Sequence, residues 1–289
     1  MMVDSPVRSI SFIGLGLIGM SLLQAIRSSP LARESSIFFQ GFDPNFTEAD
    51  CCRVKELGLD LFTEDKKNLY GADLLILAAP VEVNITLLDE IKQFAPPATL
   101  VSDVSSTKSL IARRARELDL PFIGMHPMAG KEQKGYRESH EELLRDKRVI
   151  FCDDNGLLAS EKGMFLVRLL ESAGCTTLSM TPADHDRVIA RISHLPQLLS
   201  TLLIGSCGES LTMSGPGFAT FARLAGSSWE IWRDIIVTNS ENIAEELDHF
   251  SAELSLLSDE VKQHNLKQLE SRFGEANRLY QTLKEINRS

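Results

Sequence analysis

His126 stands in the decapeptide PFIGMHPMAG, residues 121–130, directly behind an apolar run that reads as a strand. Pro127 and Gly130 are expected to stop that strand abruptly and leave the imidazole on a loop at the carboxyl edge of a sheet, where ligands of open α/β folds bind. An imidazole titrates near neutrality, so His126 is a candidate acid–base group. On the same edge DVSSTK, residues 103–108, ends one strand and begins a helix. One of Ser105 and Ser106 suffices as the helix cap, which leaves the other hydroxyl free to face a ligand. Further along, ISHLPQ, residues 192–197, puts His194 two positions ahead of Pro196 in a helical pattern. The proline removes a backbone donor and crowds the Ile192 carbonyl, predicting a kink that presents His194 to a cleft. Arg223 and Arg233 lie in an otherwise apolar stretch near Trp229 and Trp232. A guanidinium grips a carboxylate with two parallel hydrogen bonds, although either arginine can instead pair with an internal acid.

A second group of residues suits a dinucleotide. Gly14, Gly16 and Gly19 form G-x-G-x-x-G behind a first strand and at the opening of a helix over 17–28. The three glycines would provide a tight turn, room for backbone to approach a pyrophosphate, and close helix-to-strand packing, with the diphosphate on the helix N-terminus. Asp43 ends a second strand, where a carboxylate can accept from both ribose hydroxyls. A 2′-phosphate would be repelled there, and Pro44 and Asn45 bring no compensating arginine, so NAD is expected over NADP. Leu17 and Ile18 inside the motif, with Ala79 and Pro80 after a later strand, complete the expected cofactor-binding set.

The elements that must position these groups follow from periodicity. Short β-branched or apolar runs at 9–13, 37–42, 74–78, 99–102, 122–125, 148–152 and 176–180 alternate with amphipathic stretches, which predicts crossover units and a largely parallel sheet. Strand signals stop after Met180. Thr181, Pro182 and Asp184 read as an N-cap, a first-turn proline and a capping-box acid opening an all-helical second domain. The fold is therefore expected to be α/β: a Rossmann-type dinucleotide-binding domain over 1–180 and a helical substrate and dimerisation domain over 181–289. Ser227 and Glu230 read as another capping box, opening a long helix with Ile236, Ile243, Leu247, Phe250, Leu254 and Leu257 on alternating steps of three and four. The spacing restarts at Leu266, Leu269, Phe273, Ala276, Tyr280 and Leu283, a seam that packs within the chain or against a second copy.

Composition narrows the partners. The 289 residues are 43% hydrophobic and 24% charged, ordinary values for a chain that buries cores. With 30 basic and 40 acidic side chains the net charge is −10. A nucleic-acid or anionic-membrane surface would have to work against that field, and an anionic substrate needs a local cationic pocket. No signal peptide and no window of some 18 to 20 apolar residues is evident, so a cytoplasmic protein with no membrane or nucleic-acid partner is expected. Five cysteines without a C-x-x-C pair suggest reduced thiols and no metal site.

Taken in order, GLGLIG, DVSSTK, GMHPMAG, HDRVIARISHLP and FARLAGSSWEIWRDI resemble the prephenate/arogenate dehydrogenase family over essentially the whole chain. The two histidine-bearing blocks are the specific ones; the glycine motif is shared by many oxidoreductases. The resemblance implies NAD-dependent oxidative decarboxylation of prephenate or arogenate, and the long apolar seams after residue 228 predict a homodimer joined through the helical domain. It implies that His126 is the catalytic histidine bonded to the ring hydroxyl, that Ser106 supports that hydroxyl, and that His194 and Arg223 engage the side chain and carboxylate. Two positions depart from it: Gln197, where many relatives have a second histidine, and Thr220, where many have an acid. Two rival readings are a β-hydroxyacid dehydrogenase and a non-catalytic NAD-sensing interaction protein. The first needs a lysine in the helical domain, yet none occurs between Lys162 and Lys262. The second has no need of His126, Ser106 and Arg223 together.

Overall fold

The computed structural model describes residues 5–131 and 133–286. Eight strands, β1 (Ser9–Ile13), β2 (Phe38–Phe42), β3 (Leu61–Phe62), β4 (Leu74–Leu77), β5 (Leu100–Asp103), β6 (Phe122–Pro127), β7 (Arg148–Cys152) and β8 (Thr176–Met180), form one sheet in the order β3-β2-β1-β4-β5-β6-β7-β8. Neighbours are parallel except β6 and β7, so the last two strands run against the rest. Between and after them come helices α1 (Leu17–Ser28), α2 (Pro30–Glu34), α3 (Glu48–Glu56), α4 (Lys66–Tyr70), α5 (Val81–Phe94), α6 (Ser109–Glu117) and α7 (Glu161–Ser172). The chain then continues as α8 (Pro182–Ile189), α9 (Leu195–Cys207), α10 (Pro216–Ala222), α11 (Trp229–Thr238), α12 (Ser240–Lys262) and α13 (Leu266–Ile286).

Strand alternation builds two cores. Leu74 and Ile76 join Ile10 and Phe12 on one face, beneath Leu22, Leu23 and Ile26 of α1 and Leu166, Leu169 and Leu170 of α7. Leu75 and Leu77 turn the other way, against Leu88 and Ile91 of α5 and Ile111 and Ala115 of α6. The four-residue apolar run of β4 is thus buried on both sides, as a central parallel strand must be. Helices on both faces make the fold doubly wound. Strand order reverses at β1, between β2 and β4, which opens the crevice at their carboxyl ends.

The structure alters several local expectations. His126 lies within β6, not on a loop past it. The antiparallel β7 keeps pairing through His126↔Ile150 and Pro127↔Val149, and Met128 N resumes donation to Arg148 O at 2.7 Å after the proline. β3 carries too short an apolar run to have been read as a strand. The long helix expected from Ser227 is two helices, because Asn239 leaves helical geometry at φ −133°. Ser228 stands at the head of α11, and Ser227 instead donates to Gln197 Oε1 at 3.2 Å. Pro196 does disturb its helix, as five residues of π-helix over Ala190–His194 between α8 and α9. The run Pro182–Met213 is, contrary to the sequence expectation, long and apolar enough to pass for a membrane span by length and composition. Its inward side carries the buried His185, Asp186, His194 and Gln197, a polar face that helps build the site described below.

Two compact units are present, Met1–Ser240 and Glu241–Ser289. In the second, Arg272 of α13 bonds Glu260 at 2.8 Å and Glu253 at 3.0 Å, both on α12. Phe250, Leu254, Phe273, Tyr280 and Leu283 of the expected seam are exposed in the single chain.

Candidate active site

A line of hydrogen bonds runs from β6 into α8. His126 Nδ1 lies 2.9 Å from His185 Nε2, and His185 Nδ1 lies 2.8 Å from Asp186 Oδ1. His185 and Asp186 are fully buried, at 0% exposure, whereas His126 keeps a partly open edge. Asp186 also accepts from the backbone N–H groups of Lys108 (2.7 Å) and Ser109 (2.8 Å) at the start of α6. Neither Ser105 nor Ser106 caps that helix; a carboxylate from α8 does, and so locks α8 onto the β5–α6 edge. Burial pushes the Asp186 carboxyl up, but the hydrogen bonds from His185, Ser109 and Lys108 outweigh it and hold the pKa below the usual value. For His126, burial above all, then the charges of His185, Lys108 and His194, hold the pKa well below 6.5. His185 is lowered by burial too, against the pull of Asp186. Both imidazoles are therefore neutral at pH 7.

Behind them sits a buried ion pair, Lys108 Nζ to Asp103 Oδ2 at 2.6 Å. Asp103 Oδ2 also accepts from Ser105 N at 3.0 Å. Such a pair stabilises little by itself, but losing one partner would strand a charge in the interior. The lysine stem passes over Gly124, where a Cβ would come within 2.8 Å of it. Asn84 of α5 donates to Ala79 O at 2.9 Å and to Ser105 Oγ at 3.0 Å, tying the loop after β4 to that after β5. Ser105 is buried by this network; Ser106, the half-buried one of the two, remains beside the crevice.

His194 closes the π-helical segment. Asn239 spends its two amide hydrogens on Asp186 O (2.8 Å) and His194 Nδ1 (3.2 Å), so His194 Nδ1 accepts and Nε2 carries the proton. That Nε2–H is buried without a hydrogen-bond partner among the described residues, and Trp232 meets the ring edge-on at 5.8 Å. Burial lowers the His194 pKa to about 4, so it is a neutral donor. Arg223 is exposed at the head of the short 3-10 turn Arg223–Gly226. Gln197 Nε2 and Ser200 Oγ of α9 hold that segment through Leu224 O (2.8 Å) and Phe221 O (3.0 Å). Gln197 is thus a brace for the arginine turn, and Thr220 merely bonds Pro216 O at 2.9 Å. Arg233 is committed to Asp234 at 2.7 Å.

At the other end of the crevice the glycine loop fits a diphosphate. Gly14 adopts φ +92°, and a Cβ there would lie 2.6 Å from Ala79 N; at Gly19 it would lie 2.3 Å from Gly14 O. Around Gly16 there is open space within 4 Å, and as N-cap of α1 it supplies no side-chain cap, leaving first-turn N–H groups for an anion. Leu17 and Ile18 begin α1, and Ala79 and Pro80 lead into α5 on the neighbouring strand end. Asp43 Oδ2 accepts from Leu15 N at 3.0 Å and Oδ1 from Asn45 N at 3.0 Å. The carboxylate therefore pins the glycine loop.

Reading the sequence singled out His126, His194, Ser106 and Arg223 but missed His185, Asp186, Lys108, Asn84 and Asn239. One signal was available for His185: Ile189, its i+4 neighbour, is fully buried, so a polar residue occupies a core-facing helical position.

A doubly wound sheet with a diphosphate-shaped loop at its switch point, joined to neutral buried imidazoles, defines a dinucleotide-dependent dehydrogenase. Two family models match: the prephenate dehydrogenase nucleotide-binding domain over residues 37–175 and the prephenate dehydrogenase dimerization domain over 181–275. The chain belongs to the prephenate dehydrogenase family. It is 25% identical to the prephenate dehydrogenase of Lactococcus lactis, covering 96% of this chain and 78% of that one. With the cyclohexadienyl dehydrogenase of Zymomonas mobilis it shares 26% identity over 96% of both chains. The crystal structure of Synechocystis arogenate dehydrogenase superposes with a TM-score of 0.81 at 26% identity, over 93% of this chain and 97% of that one. That of Aquifex aeolicus prephenate dehydrogenase, in complex with hydroxyphenyl propionate and NAD+, gives 0.82 at 25% identity, over 95% and 98%.

Proposed function

We propose that the protein oxidises and decarboxylates prephenate or arogenate with NAD, giving 4-hydroxyphenylpyruvate or tyrosine, carbon dioxide and NADH. The observation that carries this reading is a neutral imidazole, His126, on the strand edge of a dinucleotide crevice in a chain of this family. Bound NAD would supply the acceptor for a hydride from ring carbon C4. His126 accepts the C4 hydroxyl proton as that hydride leaves, and returns it to the phenolate oxygen once the ring carboxylate has departed as carbon dioxide. Aromatisation makes the step downhill, so positioning and polarisation are what the side chains supply. Ser106 supports the hydroxyl, His194 donates its buried Nε2–H to the substrate side chain, and Arg223 holds a carboxylate that the net charge of −10 would otherwise repel. Gly14, Gly16, Leu17, Ile18, Gly19, Ala79 and Pro80 cradle the cofactor, with Asp43 on its ribose. The functional division is 1–180 for the cofactor and 181–289 for substrate and self-association. The assembly is a cytoplasmic homodimer joined through the exposed seam of α12 and α13, and it takes no nucleic acid or membrane.

Nicotinamide reduction followed with prephenate and with arogenate, each with NAD and with NADP, tests the reading; silence in all four mixtures rejects it. Replacing His126 with Asn should lower turnover about 100- to 10,000-fold while NAD binding persists. Because burial holds the His126 pKa well below 6.5, the acid limb of the pH–rate profile belongs below that pH, with a plateau above it. A limb centred above 6.5 would contradict this placement.

A further inference from the structure

We propose that His185 and Asp186 are positioning residues that fix the tautomer of His126, so that Nε2 of His126 is held as the unprotonated, proton-accepting nitrogen. This rests on the assignment of His126 as the base, and it adds the reason why that base presents the correct nitrogen.

The Asp186 carboxylate is an acceptor only, and it already draws Lys108 N, Ser109 N and His185 Nδ1 at 2.7–2.8 Å. His185 Nδ1 must therefore carry the hydrogen. A neutral imidazole has one N–H, so His185 Nε2 is an acceptor. His126 Nδ1, 2.9 Å away, must then donate, which leaves His126 Nε2 with its lone pair. With His185 protonated at Nδ1, the other neutral form of His126 would face two lone pairs across that contact; the reversed bond, from His185 Nε2–H, would leave the His185 Nδ1 lone pair against the Asp186 carboxylate. Isolated imidazole side chains favour the Nε2–H form, in which His126 could not accept a proton at Nε2. The relay overturns that preference, as an acid behind a histidine does in hydrolytic triads.

The same geometry specifies a failure mode. A proton added to His185 would make its Nε2 a donor, reverse the His126 contact and move the hydrogen of His126 onto Nε2. The surroundings resist this. The charged and titratable groups that act on the two rings are Lys108 and Asp103 from the β5–α6 edge, Asp186 from α8 and His194 from the π-helical segment. Burial and the Lys108 charge keep His185 neutral despite Asp186. Any acid limb consequently belongs to the His126–His185 pair, not to one ring.

Imidazole nitrogen NMR of the 15N-labelled protein reads the tautomer directly. In the wild type His126 should show a protonated Nδ1 and an unprotonated Nε2; an Nε2–H signal overturns the proposal without any variant. In His185→Leu the hydrogen should move to Nε2, kcat should fall at least tenfold, and the KM for NAD should stay put. His185→Gln places an amide oxygen near the lost acceptor and should restore the Nδ1–H form and most of the turnover. An unchanged tautomer and kcat in His185→Leu would equally sink the relay. Near-normal turnover in His126→Asn is a separate result: it removes the base assignment, and the relay's role with it, whatever the tautomer.

Discussion

At the residue scale the site is a set of protonation states enforced by neighbours. His126 and His194 are both neutral, but they present opposite faces: Asn239 makes His194 a donor, and His185 makes His126 an acceptor. Lone histidines in a sequence carry no such information, because the partner that selects the tautomer comes from another element. The proposed role of Arg223 rests most on chemistry, since a substrate with two carboxylates must be drawn to a chain of charge −10. Arg223→Ala should raise the KM for substrate at least tenfold, about 1.4 kcal/mol of binding, with the KM for NAD unchanged. A purely structural arginine would instead lower the melting temperature and leave substrate KM alone. Both readouts come from one purified variant.

Among the elements, the glycine loop and the β5–α6 edge show why like residues differ in consequence. Gly19 packs α1 against the loop so closely that an added methyl must push Gly14 O aside, whereas Gly16 faces open space. Gly19→Ala should therefore destabilise the fold by about 1–3 kcal/mol in chemical denaturation. Gly16→Ala should keep the wild-type midpoint yet weaken NAD binding at least tenfold by calorimetry; unchanged affinity would take the diphosphate away from that position. The cap of α6 illustrates the limit of local reading. Ser105 and Ser106 have the right chemistry to cap it, but Asp186, on a helix of the later part of the chain, fits the free N–H groups and brings His185 with it.

For the whole molecule, the buried histidines set an acid limit on stability. His185 and His194 have pKa values lowered in the fold, so nothing is lost above about pH 6.5, where the unfolded chain is neutral too. As pH falls below 6.5 the unfolded chain binds protons that the fold refuses, and stability declines by about 1.4 kcal/mol per pH unit for each such group. For His194 the decline runs to about pH 4, a loss of order 3 kcal/mol. Denaturation midpoints between pH 7.5 and 4.5 check this, and His194→Gln should flatten the curve; an unchanged slope in that variant would show that His194 is not the group responsible.

What the sequence determined by itself was periodic or short-range. The alternation of strands and amphipathic stretches, the switch to helix after Met180, the G-x-G-x-x-G loop and the π-distorted turn ahead of Pro196 each follow from backbone sterics or burial within a few residues. Only the tertiary structure decided the rest. β6 continues through His126 because the antiparallel β7 lies alongside, a partnership that no local pattern encodes. The helix after Ser228 breaks where Asn239 reaches two acceptors in the site. The relay that starts at Asp186 joins His185 to His126, 59 residues apart. Its members are ordinary polar residues along the chain, and they acquire directed donors and acceptors only when burial removes water as the alternative partner.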